Sequence, residues 1–183
     1  EYASTLEPTR PGWEGRFAFE HERDEDLGFQ IASGFHVSET HVAGQTVPSH
    51  LLTFDGKYAM NHWWSLTGTA FTGENIAGLG GGGAGFIGDD VLRPVHAKGG
   101  WLQLTLAPTS RLSFHLFGGR QANRGSDLEY NSVSSNAAFA GNVYYQLAPN
   151  VFAAFEAGQV RTNWWQNGNR LRNMYDLSLA YMF

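Results

Sequence analysis

Apolar and polar residues alternate with a period of two along most of this chain. At the C-terminus, every second position from Leu171 to Phe183 forms one face, which is nearly all apolar. The alternate positions from Arg170 to Met182 form the other face and carry the charged residues Arg170, Arg172 and Asp176. Successive side chains of a strand point to opposite faces of a sheet, so this period predicts β-strands. An amphipathic helix would place apolar residues at i, i+3, i+4 and i+7, and the sequence has no such stretch free of glycine.

The alternation predicts nine strands joined by connections of unequal length. The strands span residues 13–22, 28–40, 49–59, 62–74, 98–107, 110–121, 135–147, 150–163 and 170–183. Three connections are tight, at 56–62, 107–111 and 147–150, whereas 75–97 and 122–134 are long. Several strands exceed ten residues, which is longer than the roughly 5–6 residues of globular strands and matches the roughly 9–11 that cross a bilayer.

Two all-β architectures share this pattern. A soluble β-sandwich buries its apolar faces against a second sheet, whereas a transmembrane barrel turns its apolar face to lipid and its polar face to the lumen. The pair Trp63 and Trp64 follows one turn, and the pair Trp164 and Trp165 precedes the last loop, as expected of aromatic residues at membrane interfaces. The polar face also carries Gln, Asn, Thr and Ser rather than many Lys and Glu. These features favour an antiparallel up-and-down transmembrane β-barrel, with about eight or nine strands in this chain.

Composition narrows the function classes. Charged residues make up 16% of the chain, below the roughly 25% of soluble domains, and no apolar run is long enough for a transmembrane helix. The absence of cysteine excludes disulfides and thiolate metal sites. A net charge of -5 argues against a nucleic acid partner, because neutralising phosphates needs clustered cations.

The last strand, from Tyr175 to Phe183, has aromatic residues at positions 175, 181 and 183. It resembles the C-terminal signature of bacterial outer-membrane β-barrels, and the stretches 68–73 and 99–104 resemble porin-like barrels of Gram-negative bacteria more loosely. The resemblance implies a bacterial outer-membrane location, with lipid and lipopolysaccharide as surroundings. It also implies that the barrel-assembly machinery recognises the segment ending at Phe183. The oligomeric state stays open, a homo-oligomer included.

Strand parity bears on how much of a barrel this chain contains. Single-chain bacterial barrels have an even number of strands and place both termini in the periplasm. Counting back from Phe183, with the short turns on the periplasmic side, places Glu1 outside. We therefore expect a single β-barrel domain over 1–183 that is the C-terminal portion of a larger barrel. The alternative is that 13–22 is not a membrane strand and the other eight strands form a complete barrel.

The polar face supplies the candidate functional residues. Alternation places seven charged side chains toward the lumen: Glu14, Arg16, Glu20, Glu156, Arg170, Arg172 and Asp176. Facing lipid, an arginine at the midplane would cost about 2–4 kcal/mol. These residues form either a salt-bridge ladder within the wall or a charged pore lining. The glycine-rich connection 75–97 could also fold into the lumen, where Asp89 and Asp90 would place negative charge at a constriction.

Motifs for other chemistry are weak. Residues 78–83 match G-x-G-x-x-G by letter, but no helix pattern follows, so nucleotide binding is not expected. The seven histidines are scattered without metal-ligand spacing. Ser113 and His115 share a face, but i, i+2 neighbours on a strand lie about 6.5–7 Å apart, which predicts no direct pair for catalysis.

The sequence therefore predicts no catalytic residues, no cofactor and no metal site. The predicted function is passive, porin-like diffusion of small polar solutes through a water-filled lumen. The alternative is a structural or adhesive outer-membrane barrel with a filled interior, in which the long extracellular loops do the binding. An eight-stranded barrel is just wide enough for side chains to fill it, so the strand number separates the two.

Overall fold

The structure, a computed structural model, describes residues 11–24, 27–80, 83–88 and 90–182. Its strands are β1 Trp13–Asp24, β2 Leu27–Val42, β3 Gln45–Ala59, β4 Trp64–Glu74, β5 Phe86–Ile87, β6 Arg93–Pro94, β7 His96–Thr109, β8 Leu112–Asn123, β9 Val133–Ala148, β10 Val151–Trp164 and β11 Asn169–Tyr181. Two short 3-10 helices, Ala77–Leu79 and Gly125–Asp127, lie in connections. No helix in these residues is long and apolar enough to cross a membrane.

The nine long strands form one antiparallel sheet, in the order β1-β2-β3-β4-β7-β8-β9-β10-β11. Each strand pairs with its neighbours along the chain, which confirms the predicted up-and-down arrangement. Within the described residues β1 and β11 do not pair with each other, so the sheet is open. β1 pairs with β2 along its whole length, so residues 13–22 belong to the sheet and the alternative of eight strands closing into a barrel is not what these residues form.

The sheet is a single layer with two unlike faces. The polar face is the one that contains Arg16, Asp55 and His115, and the apolar face is the one that contains Phe17 and Leu116. Because side chains alternate along each strand, every other strand residue belongs to one of these two faces. Large side chains of the apolar face are strongly exposed, with Phe17 at 76% and Leu116 at 62%. Since no second sheet covers this face in the described residues, the arrangement differs from a β-sandwich and fits a face that meets lipid.

The short turns and the long connection lie at opposite ends of the sheet. At the short-turn end, residues 60–63, 110–111 and 149–150 join neighbouring strands. Side chains close two of these turns: Asn61 Oδ1 accepts hydrogen bonds from the Trp63 and Trp64 amides at 2.8 and 2.9 Å, and Thr109 Oγ1 caps the next turn. At the opposite end lies the long connection, residues 75–95, which joins β4 to β7. We name this end the long-connection end.

The strands predicted to end at residue 40 and to begin at residue 49 both extend further. β2 and β3 continue through this region as a hairpin that turns at Ala43 and Gly44, both with positive φ, at 51° and 76°. Val42 and Val47 are buried there, at 8% and 1% exposure, beside the long connection. Burial against a distant segment supports this pairing, so the strand ends could not be read from local alternation.

Candidate functional site

Register brings the polar side chains of the sheet into continuous rows. One row runs across six strands through directly paired neighbours and contains Asp176, Glu156, Asn142, His115, Thr105 and Ser65. All seven charged residues predicted to face the lumen lie on the polar face. The sheet therefore gathers residues from distant parts of the sequence on one surface.

Arg16 on β1 reaches across β2 to Asp55 on β3. Its Nη2 and Nε donate hydrogen bonds to the two Asp55 carboxylate oxygens at 2.6 and 3.3 Å. Gly34 on β2 lies between them, paired with Arg16 on one side and Thr53 on the other. A Cβ atom at Gly34 would lie 2.7 Å from Thr53 Oγ1 and 3.9 Å from Arg16 Cβ, so a larger residue at this position would collide with Thr53.

Glu14 and Glu20 occupy different surroundings on the polar face of β1. Glu14 Oε1 lies 2.6 Å from His36 Nδ1, and His36 Nε2 lies 2.7 Å from Ser38 Oγ. Glu20 lines a cleft of about 290 Å³ at the short-turn end together with Gln30 and Lys57. On this side of the sheet, charged groups are thus partly paired within the wall.

The other side of the sheet carries charged groups in a different arrangement. Glu156 lies directly opposite Asp176 and accepts a hydrogen bond from Asn142 Nδ2 at 3.0 Å. Like charges directly opposite on neighbouring strands repel each other, so this acidic pair favours a counter-cation or a polar solute beside it.

Arg170 and Arg172 lie on the same face, nearer the long-connection end. Arg170 Cζ lies 5.5 Å from the centroid of the Trp164 ring, a cation–π distance. Among the described residues, neither arginine forms an ion pair with a carboxylate. Their guanidinium groups are therefore open to an anion or an anionic solute.

The long connection folds against the polar face. Ser49 Oγ donates to the Asn75 carbonyl at 2.7 Å, and Asn75 Nδ2 donates to Thr40 Oγ1 at 3.1 Å; Ser49 and Thr40 are polar-face positions of β3 and β2. Further along, a Cβ atom on Gly83 would lie 2.7 Å from Asn123 Nδ2 on β8. The connection thus crosses the polar face from β3 to β8.

The two aspartates proposed for a constriction lie in this connection. Asp90 is exposed, and its carbonyl accepts a hydrogen bond from Gln45 Nε2 at 2.9 Å. Gln45 Oε1 in turn accepts from the Leu92 amide at 2.9 Å, which holds the segment against the β2–β3 hairpin. Asp89 lies outside the described residues, as does Phe183.

The prediction that Ser113 and His115 form no direct pair is wrong. Ser113 Oγ lies 3.0 Å from His115 Nε2, because the two side chains lean toward each other although their Cα atoms are two residues apart. The other ring nitrogen, Nδ1, lies 3.0 Å from Thr105 Oγ1. A hydroxyl therefore occupies the position that the carboxylate holds in a Ser-His-acid triad.

Sequence reasoning missed a chain of four side chains near the long-connection end. Glu74 lies between two histidines, with Oε1 at 2.6 Å from His50 Nδ1 and Oε2 at 3.1 Å from His96 Nε2. His96 Nδ1 lies 2.8 Å from Asp127 Oδ2. The signal was hidden because only the strand register shows that Glu74 faces both His50 and His96. No group of three or more histidines and carboxylates in the described part of the chain has a metal-binding arrangement.

Asp127 is the anchor of the connection between β8 and β9. Partial burial alone would raise its pKa, but hydrogen bonds from the His96 amide, the His96 side chain and Ser126 outweigh that effect. The pKa of Asp127 is therefore lowered, and the carboxylate stays charged in its bonded position.

Comparisons with known proteins give a match at the level of fold. No family model and no curated protein matches the sequence. Among solved structures, the outer membrane channel DcaP of Acinetobacter baumannii superposes on 100% of this chain, with a TM-score of 0.85 and 10% sequence identity. The chain spans 55% of the length of that channel protein, about half. The nine-stranded sheet has the fold of part of an outer-membrane β-barrel.

Proposed function

We propose that this chain forms part of the wall of a porin-like channel in the bacterial outer membrane, through which small polar solutes diffuse passively. The observation that carries the proposal is the single-layer sheet with one apolar and one polar face. Phe17 and Leu116 are 76% and 62% exposed on the apolar face, a distribution that suits lipid. The likeness in fold to an outer membrane channel supports the same location.

A hydrated lumen follows from the composition of the polar face. Its hydroxyl, amide and charged side chains would keep water in contact with the wall, and a solute would exchange its hydration for these groups. In a bilayer every backbone group needs a partner, so the edges β1 and β11 must be paired, with each other or with further strands. Closure of these edges is a requirement of the proposed channel.

Selectivity would depend on unequal charge around the wall. Among the described residues, Arg170 and Arg172 form no ion pair with a carboxylate, whereas Glu156 and Asp176 form an acidic pair closer to the short-turn end. The long connection, with Asp89 and Asp90, would narrow the lumen from the long-connection end. Such groups act as electrostatic barriers or binding sites for charged solutes. Recognition by the barrel-assembly machinery through the segment that ends at Phe183 belongs to the same proposal.

The proposal is tested by recording purified protein in planar lipid bilayers, alongside a gel of unheated and boiled samples. We expect stepwise conductance from protein that shifts on the gel when boiled, the behaviour of a stable barrel. A band that shifts on boiling but gives no conductance would reject the channel in favour of a barrel with a filled interior. Protein that is soluble without detergent would reject the membrane location.

A further inference from the structure

Three basic residues cluster on the apolar face near the long-connection end. The cluster consists of Lys98 on β7, Arg120 on β8 and Arg161 on β10. Each of them alternates with the polar-face residues of its own strand, so its side chain points to the apolar face, which is the lipid side. All three side chains are exposed. We name these three residues the outer basic patch.

Register places small residues between the three cations. Arg120 and Arg161 both lie opposite Ala137 on β9, and Lys98 lies opposite Ala122 on β8. Strands lie about 4.8 Å apart, so the Cα atoms of Arg120 and Arg161 are roughly 10 Å apart across β9. Because the alanines between them do not fill this space, long basic side chains can converge there on one anionic group.

The charge of the outer basic patch is not neutralised within the wall. Among the described residues, none of the three forms an ion pair with a carboxylate. Glu74 on the neighbouring strand is held by His50 and His96 at 2.6 and 3.1 Å. A surface cleft of about 460 Å³ borders Lys98 and also contains Arg124, which adds a further cation beside the patch.

The patch lies at the edge of the apolar belt. Two residues closer to the short-turn end, Gly118 on β8 lies opposite the strongly exposed Phe139 on β9, and apolar side chains continue on β9 as far as Leu147. Leu147 lies eight residue steps beyond Phe139, or about 27 Å along the strand and roughly 21 Å along the membrane normal at a tilt near 40°. This height approaches the roughly 25 Å band that lipid tails cover, so the patch lies at the level of headgroups.

We propose that the outer basic patch binds the phosphate of an anionic lipid headgroup, such as the phosphates of lipid A in lipopolysaccharide. The inference rests on the proposed membrane-spanning function. Arginine pairs bidentately with phosphate through its planar fork, and lysine adds a point charge. The apolar belt directly below the patch would contact the acyl chains of the same lipid, so the site distinguishes a lipid from a free anion.

The test compares lipid binding by the unmodified detergent-solubilised full chain and by three variants of it. In the patch variant, Lys98→Gln, Arg120→Gln and Arg161→Gln are combined. The matched control combines Arg170→Gln and Arg172→Gln, which removes charge from the polar face. Affinity is measured by native mass spectrometry with bisphosphorylated lipid A, dephosphorylated lipid A and inorganic phosphate. A shift on boiling verifies that each form is folded.

We expect the patch variant to bind bisphosphorylated lipid A about 100-fold more weakly than the unmodified chain, since each basic residue near an anionic surface contributes about fivefold. The control variant should bind as the unmodified chain does. A charge-conserving variant, Arg120→Lys with Arg161→Lys, should keep most of the affinity. This third variant keeps the inference testable if the patch variant fails to fold.

Equal binding by the patch variant and the unmodified chain would overturn the inference, as would equal loss in the control. Dephosphorylated lipid A binding as tightly as the bisphosphorylated form would overturn the role of phosphate. Inorganic phosphate binding as tightly as lipid A would overturn the lipid as the source. Conductance of the unmodified chain, measured in parallel, separates these failures from failure of the proposed channel.

Discussion

Adjacent residues on β7 give the sharpest test of which face meets lipid. Leu104 lies on the apolar face and Gln103 on the polar face. Leu104 is six residues from Lys98, near the long-connection end, and six residues from Ser110, in the short turn. At about 3.3 Å per residue and a tilt near 40°, it lies roughly 15 Å from each, the middle of a hydrocarbon core about 30 Å thick.

Leu104→Arg should therefore destabilise the membrane-inserted fold by about 2–4 kcal/mol, the cost of an arginine facing lipid at the midplane. At about 1.4 kcal/mol for each factor of ten, the ratio of folded to unfolded protein falls roughly 30- to 1000-fold. Gln103→Arg faces the lumen side. It removes the hydrogen bond from Gln103 Nε2 to Thr105 Oγ1, at 3.2 Å, and a longer contact between Gln103 Nε2 and His115 Nδ1, at 3.4 Å. A hydrogen bond of this kind is worth about 1 kcal/mol.

The assay is reversible urea unfolding of each variant in lipid vesicles, followed by tryptophan fluorescence and by gel migration without boiling. The free energy of unfolding is compared with that of the unmodified chain at the same lipid composition. A larger loss for Gln103→Arg than for Leu104→Arg would refute the assignment of the two faces. Losses below about 0.5 kcal/mol for both would refute insertion of this strand in the bilayer, because such values are typical of exposed surface substitutions in water.

Four further perturbations test individual features. Arg172→Glu should move the reversal potential of the channel toward cation selectivity and leave migration on unheated gels unchanged; an unchanged potential would contradict a lumen-lining role. Arg16→Ala should leave stability almost unchanged, because exposed ion pairs contribute little, and a double-mutant cycle with Asp55→Ala measures the coupling. Because the pKa of Asp127 is lowered, its hydrogen bonds should stabilise residues 124–132 fully at pH values above the usual pKa range of aspartate, and this stabilisation should be lost as the pH falls through the lowered pKa. Asp127→Asn should remove this acid dependence from amide hydrogen exchange in 124–132. Deleting residues 78–90 should increase single-channel conductance, and an unchanged conductance would contradict a constriction.

The period of two was sufficient to predict the strands, because alternation depends on side chains pointing to opposite faces of each strand. β7, β8, β9, β10 and β11 each match a predicted strand to within about two residues. The hairpin around Ala43 and Gly44 escaped prediction because its pairing depends on burial of Val42 and Val47 against the long connection. Such contacts join segments that are far apart in sequence, and alternation carries no information about them.

The sequence was sufficient to predict which residues lie on the polar face, but not which side chains they contact. Alternation assigned Arg16 to the polar face, but only the register shows that Asp55, two strands along in the sheet, lies within its reach. The bond between Ser113 and His115 was excluded on Cα spacing, although side chains that lean along a strand close that distance. Which residues pair across strands depends on the register. Turns and bulges fix the register, and the local alternation of apolar and polar residues does not reveal them.

The pairing of each long strand with its neighbours in the chain has a consequence for how the wall assembles. Each pairing in the sheet joins long strands that are neighbours along the chain, so most of the described sheet can form hairpin by hairpin. The end of the β2–β3 hairpin is the exception, because it also packs against the long connection. Removing β11 would leave the other eight strands with their pairing intact. Removing an interior strand such as β8 would force two strands of the same direction to meet, and the antiparallel ladder beyond that point would have to be rebuilt.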